Sequence, residues 1–328
     1  MGTESIWYDE AISIGVAKLD LFEQVRWSLL LSDNNTPLFY EIMHFWVQLF
    51  GDSEFAARFP SAIFGSFSIM AIYAVARTLF NKNAALIAAL ILATSVFHIE
   101  YSQEARAYSL LALMSLLSCY FYLKIISSQN KSYFIGYLIS SLTDYNRLYF
   151  VLLWLCLPIL IPYLISLIST PILLYRYTIG GSVALYLLVA SGIDRAGSRK
   201  VILFVCALIL FLAYLNIERY FTFVNKHQWR ETVNFIDDNA GPGDYFLAYP
   251  PFEIMSGYYY LKRKDIFLLP LTDNLLYSAD IGNKNLWVVL SQHGTSNLDR
   301  IENILMNKYK LIDSKQFKKL NLYKFQKK

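Results

Sequence analysis

Ser61–Phe80 (SAIFGSFSIMAIYAVARTLF) and residues 84–99 (AALIAALILATSVFHI), joined by Asn81-Lys82-Asn83, decide the class of this chain. The first run carries one charged residue, Arg77, and the second has none, with His98 near its end. A helix of about 20 apolar residues crosses a hydrocarbon layer of about 30 Å, so two such runs around a polar turn read as a helical hairpin in a membrane.

Working outward, a third apolar helix is expected from about 103 to 126, then others at 148–168, 172–193 after Pro171, and 200–217. Together these make about six spans. Residues 37–50 (PLFYEIMHFWVQLF) are apolar but too short to cross, and they carry Glu41, His44 and Trp46; they read as an interfacial helix lying along the membrane. Arg77 with Lys82, Lys124 with Lys131 and Arg147, and Arg195 with Arg199 and Lys200 fall on one side of a six-span chain. The positive-inside bias makes that side the cytoplasm. Residues 132–147 (SYFIGYLISSLTDYNR) are read as a cytoplasmic or half-inserted segment, because a seventh span there would move the later basic residues outside.

Composition agrees. Of the 328 residues 56% are hydrophobic and 16% charged, against roughly 25% charged in an ordinary soluble domain, and the mean hydropathy is +0.37. The net charge is only +4, and the densest basic group (Lys315, Lys318, Lys319, Lys324, Lys327, Lys328) is confined to the C-terminus; this is not the pattern of a nucleic-acid binder. Cys119, Cys156 and Cys206 lie apart inside apolar runs and form no disulfide framework. His44, His98, His227 and His293 are scattered, and no metal-ligand spacing occurs. The first residues, Met1-Gly2-Thr3-Glu4-Ser5-Ile6, lack the pattern of a signal peptide or a myristoylation site, so insertion is expected to rely on the internal spans.

After residue 218 the pattern becomes that of a small α/β domain. Gln228–Asn239 places Trp229, Val233 and Ile236 on one helix face and stops at Ala240-Gly241-Pro242-Gly243-Asp244. Strands are expected at Tyr245–Tyr249, within Lys284–Ser291, near 310–314 and near 320–325, with a helix at Leu298–Tyr309. The predicted organisation is therefore a mainly α membrane domain over 1–217, whose first 60 residues form an outer loop with the interfacial helix. A C-terminal α/β domain over 218–328 follows it. No GxGxxG or GxxxxGKS fingerprint occurs, so a nucleotide is not the expected ligand.

Three clusters bear chemistry. Trp7-Tyr8-Asp9-Glu10 sets two adjacent carboxylates beside two aromatics. Adjacent residues do not share a face, so the pair suits one base and one scaffold-held neighbour; a solvated acidic turn is the plain alternative. In Glu100-Tyr101-Ser102-Gln103-Glu104-Ala105-Arg106-Ala107-Tyr108, Ser102 reads as an N-cap with Gln103 and Glu104 in the first turn. Arg106 opposes the helix dipole there, which fits either a bound anion or pairing with Glu100 or Glu104. Arg176-Tyr177, at the mouth of the fifth expected span, is either functional or snorkels to the interface. Arg58, before Pro60 and close to Glu54, fits a structural use equally well.

At these residues the sequence resembles the GT-C superfamily of membrane glycosyltransferases, which includes protein O-mannosyltransferases and lipid A aminoarabinose transferases. The matching stretches are Trp7-Tyr8-Asp9-Glu10, Thr36-Pro37-Leu38-Phe39-Tyr40, Ser53 to Ser61, Tyr101 to Ser109, Arg176-Tyr177 and Gln228-Trp229-Arg230-Glu231. The resemblance implies inverting transfer of a sugar from a polyprenyl-phosphate donor to a lipid, protein or glycan acceptor at the outer face of a prokaryotic plasma membrane. It makes Asp9 the base and Glu10 its neighbour, with Arg106, Glu104, Arg176 and Tyr177 at the donor phosphate. Tyr8, Arg58 and Tyr101 are further outer-face candidates. It implies no cofactor, and a divalent metal is not favoured. Compared with the family, the chain is expected to lack a span before the Asp-Glu motif and several in the middle. That leaves a second expectation, a shortened, non-catalytic relative that binds lipid phosphate or a partner protein.

Overall fold

The computed structural model describes Gly2, residues 4–30, 37–127, 144–168, 175–222, 226–272, Gly282, 284–292 and 298–328. Of the expected segment 132–147, residues 132–143 lie outside the described residues. The chain forms two compact units, one made of Met1–Ala57 with Val224–Lys328 and the other of Arg58–Phe223. The position 217/218 falls inside a helix (Arg199–Thr222), and the first 57 residues belong to the same compact unit as the C-terminal segment.

The helical unit contains most of α4 (Glu54–Leu79), α5 (Lys82–Thr94), α6 (Val96–Ser102), α7 (Tyr108–Ser127), α8 (Asp144–Ile168), a 3-10 turn (Tyr175–Thr178), α9 (Ile179–Arg195) and α10 (Arg199–Thr222). Asn81 caps α5, its side chain accepting from the amides of Asn83 and Ala84, so the expected hairpin turn is present. The core joins Ile72, Val75 and Leu79 of α4, Ala88 and Leu92 of α5, Leu116 of α7, and Val183 and Leu187 of α9. Alanines at 71, 76, 85, 88, 184 and 190 are buried among them, and such small residues let helices approach closely where lipid removes the hydrophobic drive. On α8 and α10 large apolar side chains face outward, with Leu167 66%, Phe204 69% and Phe211 58% exposed. Such surfaces belong in lipid.

Among the described residues α4, the Tyr149–Ile168 part of α8, and α10 are long and apolar enough to span a membrane, and α5 with α6 makes a fourth if counted as one bent span. This is fewer than the six expected. The run 84–99 breaks at Ser95, where the chain turns extended and bends by 60°. The third span starts at Tyr108, five residues late. The fifth gives only the 17 residues of α9, about 26 Å at 1.5 Å per residue.

Pro60 lies within α4, where it has no N–H for the Ala56 carbonyl. Trp46 Nε1 donates to that oxygen at 2.9 Å. The vacancy is filled by a side chain, and the helix continues through the proline.

The other unit is a three-layer α/β structure. The sheet order is β2-β1-β3-β5-β4, from β1 (Tyr245–Tyr249), β2 (Phe267–Pro270), β3 (Leu286–Ser291), β4 (Tyr309–Phe317) and β5 (Leu320–Lys327). Pairs β1/β2 and β1/β3 are parallel, β3/β5 and β4/β5 antiparallel. One face packs on α11 (Trp229–Asn239) and α12 (Ile254–Tyr260) through Trp229, Val233, Ile236 and Ile254. The other packs on α13 (Leu298–Lys308) through Ile301 and Leu305. Each buried aliphatic side chain contributes about 1.5–3 kcal/mol. The N-terminal helices α1 (Tyr8–Ala17), α2 (Leu21–Leu30) and α3 (Pro37–Phe50) complete this unit, α1 lying against α3 and α12.

Candidate active site

Tyr8, Asp9 and Glu10 form the first turn of α1, not a loop. Trp7 precedes the helix in extended conformation, and its backbone N–H donates to Glu10 Oε2 at 3.5 Å, one half of a capping box. Both carboxylates are buried, Glu10 completely. A buried charge must be paired, and Lys226 Nζ lies 3.1 Å from Glu10 Oε2. Asp9 accepts from the Ser13 hydroxyl through its main-chain carbonyl at 3.1 Å. Tyr8 packs on Phe252, with ring centres 4.8 Å apart. Glu10 is thus paired with a cation, and Asp9 is the buried carboxylate next to it.

A second set of contacts fixes the chain just before this turn. The Ile6 N–H donates to the Tyr260 hydroxyl at 2.6 Å, and that hydroxyl donates to Glu54. Arg230 holds Glu54 with both prongs of its guanidinium, through Nε at 2.8 Å and through Nη2, which also reaches the Gly2 carbonyl at 3.2 Å. The Arg230 amide donates to Ser5 Oγ, and Ser5 donates to Glu231. Burial works against the Arg230 charge, yet the bonds and charge of Glu54 outweigh it and raise its pKa. Burial, reinforced by the Glu54 carboxylate, raises that of Tyr260. Sequence motifs marked Arg230 but not Lys226 or Tyr260, because pairings over 200 residues apart leave no local spacing to read.

The other candidates belong to the helical unit. Ser102 is the last residue of α6, its hydroxyl donating to the His98 carbonyl at 2.6 Å; it is not the N-cap of the next helix. Residues 103–107 form a turn, and Arg106 sits just ahead of α7. Arg106 thus lies outside the helix N-terminus, where the first four N–H groups have no partner in the helix and attract anions. Arg58, Glu104 and Arg106 are all buried, and the Ser61 hydroxyl anchors the Arg106 carbonyl at 3.2 Å.

The Arg106 guanidinium carbon lies 5.8 Å from the centre of the Tyr108 ring, within cation–π range. Tyr108 packs edge-on against Tyr101 at 4.8 Å, and Tyr101 packs on Phe97 at 5.0 Å and Tyr175 at 6.2 Å. One aromatic cluster thus joins the elements carrying Tyr101, Arg106 and, next to Tyr175, Arg176. The Tyr177 side chain lies outside the described residues. Among the described residues no three His, Cys, Asp or Glu side chains gather as metal ligands.

Residues 34–216, more than half of the chain, match the family of dolichyl-phosphate-mannose-protein mannosyltransferases. The match contains Arg58, Tyr101, Glu104, Arg106, Arg176 and Tyr177, and it begins after Tyr8, Asp9 and Glu10. No curated protein and no solved structure matches the chain. On the strength of that match the chain belongs to the dolichyl-phosphate-mannose-protein mannosyltransferase family and is a membrane glycosyltransferase of the GT-C type.

Proposed function

We propose that the protein transfers a hexosyl or pentosyl group from a polyprenyl-phosphate donor to a lipid, protein or glycan acceptor on the outer face of the membrane, with inversion. The observation that carries this reading is Arg106, buried beside an aromatic cluster at the N-terminus of a 20-residue helix. A polyprenyl phosphate leaves as a weakly basic anion, so its departure asks for charge stabilisation more than for a general acid. Arg106 supplies that charge at the N-terminus of α7, where the helix dipole also favours an anion, and Arg176 adds a second cation. Glu104, buried two residues before Arg106, belongs to the same donor-phosphate set.

Asp9 takes the proton from the acceptor hydroxyl as the glycosidic C–O bond to phosphate breaks and the new bond forms on the opposite face of the sugar. Glu10, held by Lys226, keeps the α1 turn in place. A single base with cations suffices; hydrolysis by inversion needs two opposed carboxylates instead.

Membranes containing Arg106→Ala should transfer sugar from a polyprenyl-phosphate donor about 10²–10³-fold more slowly, the usual cost of one group that stabilises developing negative charge. Arg106→Lys should recover part of the loss, since it restores the charge without the fork. Wild-type rates in Arg106→Ala would remove the phosphate role and favour a non-catalytic relative.

A further inference from the structure

The β4–β5 hairpin at the edge of the sheet presents a polar array that the transfer reaction does not use. In the strand register Ser314 lies opposite Tyr323 and Gln316 opposite Asn321. Alternate residues of a strand share a face, and so do opposed pairs, which puts these four side chains in a two-by-two array on the α13 side. Lys315 and Leu322, the pair between them, point the other way. Leu322 is buried in the core under α11 and α12, and the Lys315 ammonium lies 4.0 Å from the centre of the Phe235 ring of α11. The six residues line a shallow cavity of about 240 Å³, smaller than the ~300–1,000 Å³ of a drug-sized cleft.

The spacing and the chemistry select a ligand class. The side chains stand about 5 Å apart across the strands and about 7 Å apart along them, the scale of hydroxyls around one six-membered ring. A hydroxyl, two amides and a phenol each donate and accept hydrogen bonds, as sugar hydroxyls do, and the Tyr323 ring offers an apolar face to the C–H side of such a ring. The array is pre-set. The Tyr323 ring stacks on Phe325 at 6.0 Å, and its hydroxyl bonds with Glu302 of α13 and with Asn321. Burial and then the Glu302 charge push that phenol up to about 12, so it stays a neutral donor at physiological pH. The Glu302 carboxylate at this end repels phosphate and carboxylate ligands.

We propose that Ser314, Gln316, Asn321 and Tyr323 form a binding site for one neutral hexopyranose unit of a glycan, separate from the residues assigned to transfer. No bond is made or broken there; the site holds a glycan near an enzyme that handles sugars.

The test is saturation-transfer difference NMR on the full-length protein in lipid nanodiscs, with mannotriose, maltotriose, chitotriose and galactotriose as probes. At least one should receive saturation at its ring protons. Gln316→Ala/Asn321→Ala, on the exposed rim of the hairpin, should bind it about tenfold more weakly, as expected for two lost hydrogen bonds. Sugar transfer to a short acceptor should be unchanged. Tyr323→Phe keeps the ring stack and loses only the hydroxyl, so it should weaken binding less. The proposal is overturned if none of the four sugars binds, if binding is undiminished in both variants, or if inorganic phosphate displaces the sugar.

Discussion

Glu10 lies in the first turn of α1. Its carboxylate is completely buried and Lys226, a cation it pairs with, is 16% exposed, so removing the lysine alone takes a counter-charge away from a buried carboxylate. Lys226→Met should therefore cost about 3–5 kcal/mol, read by denaturant or thermal unfolding in detergent. The double variant Glu10→Gln/Lys226→Met should lose clearly less than the sum of the single changes.

Asp244 supports the opposite end of the α/β unit. Its carboxylate accepts from the amides of Gly241 at 2.8 Å and Asn285 at 3.0 Å and from Trp287 Nε1 at 3.1 Å. Burial alone would raise its pKa, but these bonds, led by the Asn285 side chain, outweigh it and lower the pKa below the usual carboxylate range. A depressed folded value means that the stabilisation is fully present above the ordinary aspartate pKa of about 3.9 and disappears as pH falls through the lower folded value. Asp244→Asn should flatten the acid limb of a stability profile below about pH 4 and leave its slope near pH 7 unchanged. Neither residue's partner was legible in the sequence. Asp9 and Glu10 stood out as a motif, and Asp244 only as the end of a turn.

At the scale of elements, the break between α5 and α6 shows what an apolar run conceals. Residues 84–99 read as one span because hydropathy is continuous through Ser95. The structure uses Ser95 as an N-cap, its hydroxyl accepting from the His98 amide at 3.3 Å and bonded to Tyr186 at 2.8 Å. The bend places α6 against α4 at Gly65, where an added Cβ would overlap Ser102 Oγ and lie 2.7 Å from its Cβ. His98 Nε2 also reaches the Gly65 carbonyl at 3.0 Å. Gly65→Ala should destabilise the protein by about 1–3 kcal/mol through overpacking, whereas Gly192→Ala, in open space on α9, should not; thermal unfolding of the two side by side checks this.

The elements of the α/β unit were far more legible. Trp229, Val233 and Ile236 keep a helical period, and Leu286–Leu290 is a plain apolar strand. Strand β2 carries no readable signal, because its four residues end at Pro270 and leave no period to count.

At the scale of the whole molecule, the sequence gives a helical membrane protein with a small C-terminal sheet, and the structure and the family match agree. Partition of the first 57 residues was not legible, since their attachment to the α/β unit rests on distant contacts such as Arg230 with Glu54 and Tyr260 with Ile6. Orientation is proposed from the basic residues, with the C-terminal unit extracytoplasmic. Single cysteines at Ser198 and Ser296 in a Cys-free background should divide under an impermeant thiol reagent, Ser296→Cys labelling from outside and Ser198→Cys not. The reversed pattern contradicts that orientation.

The most direct measurement of the account is sugar transfer from a polyprenyl-phosphate donor by membranes carrying Asp9→Asn. This change preserves the shape of the α1 turn and removes the basic oxygen. The prediction is a fall of about 10²–10⁴-fold in turnover, the contribution of a general base, with the protein level unchanged. Transfer at the wild-type rate would contradict the account.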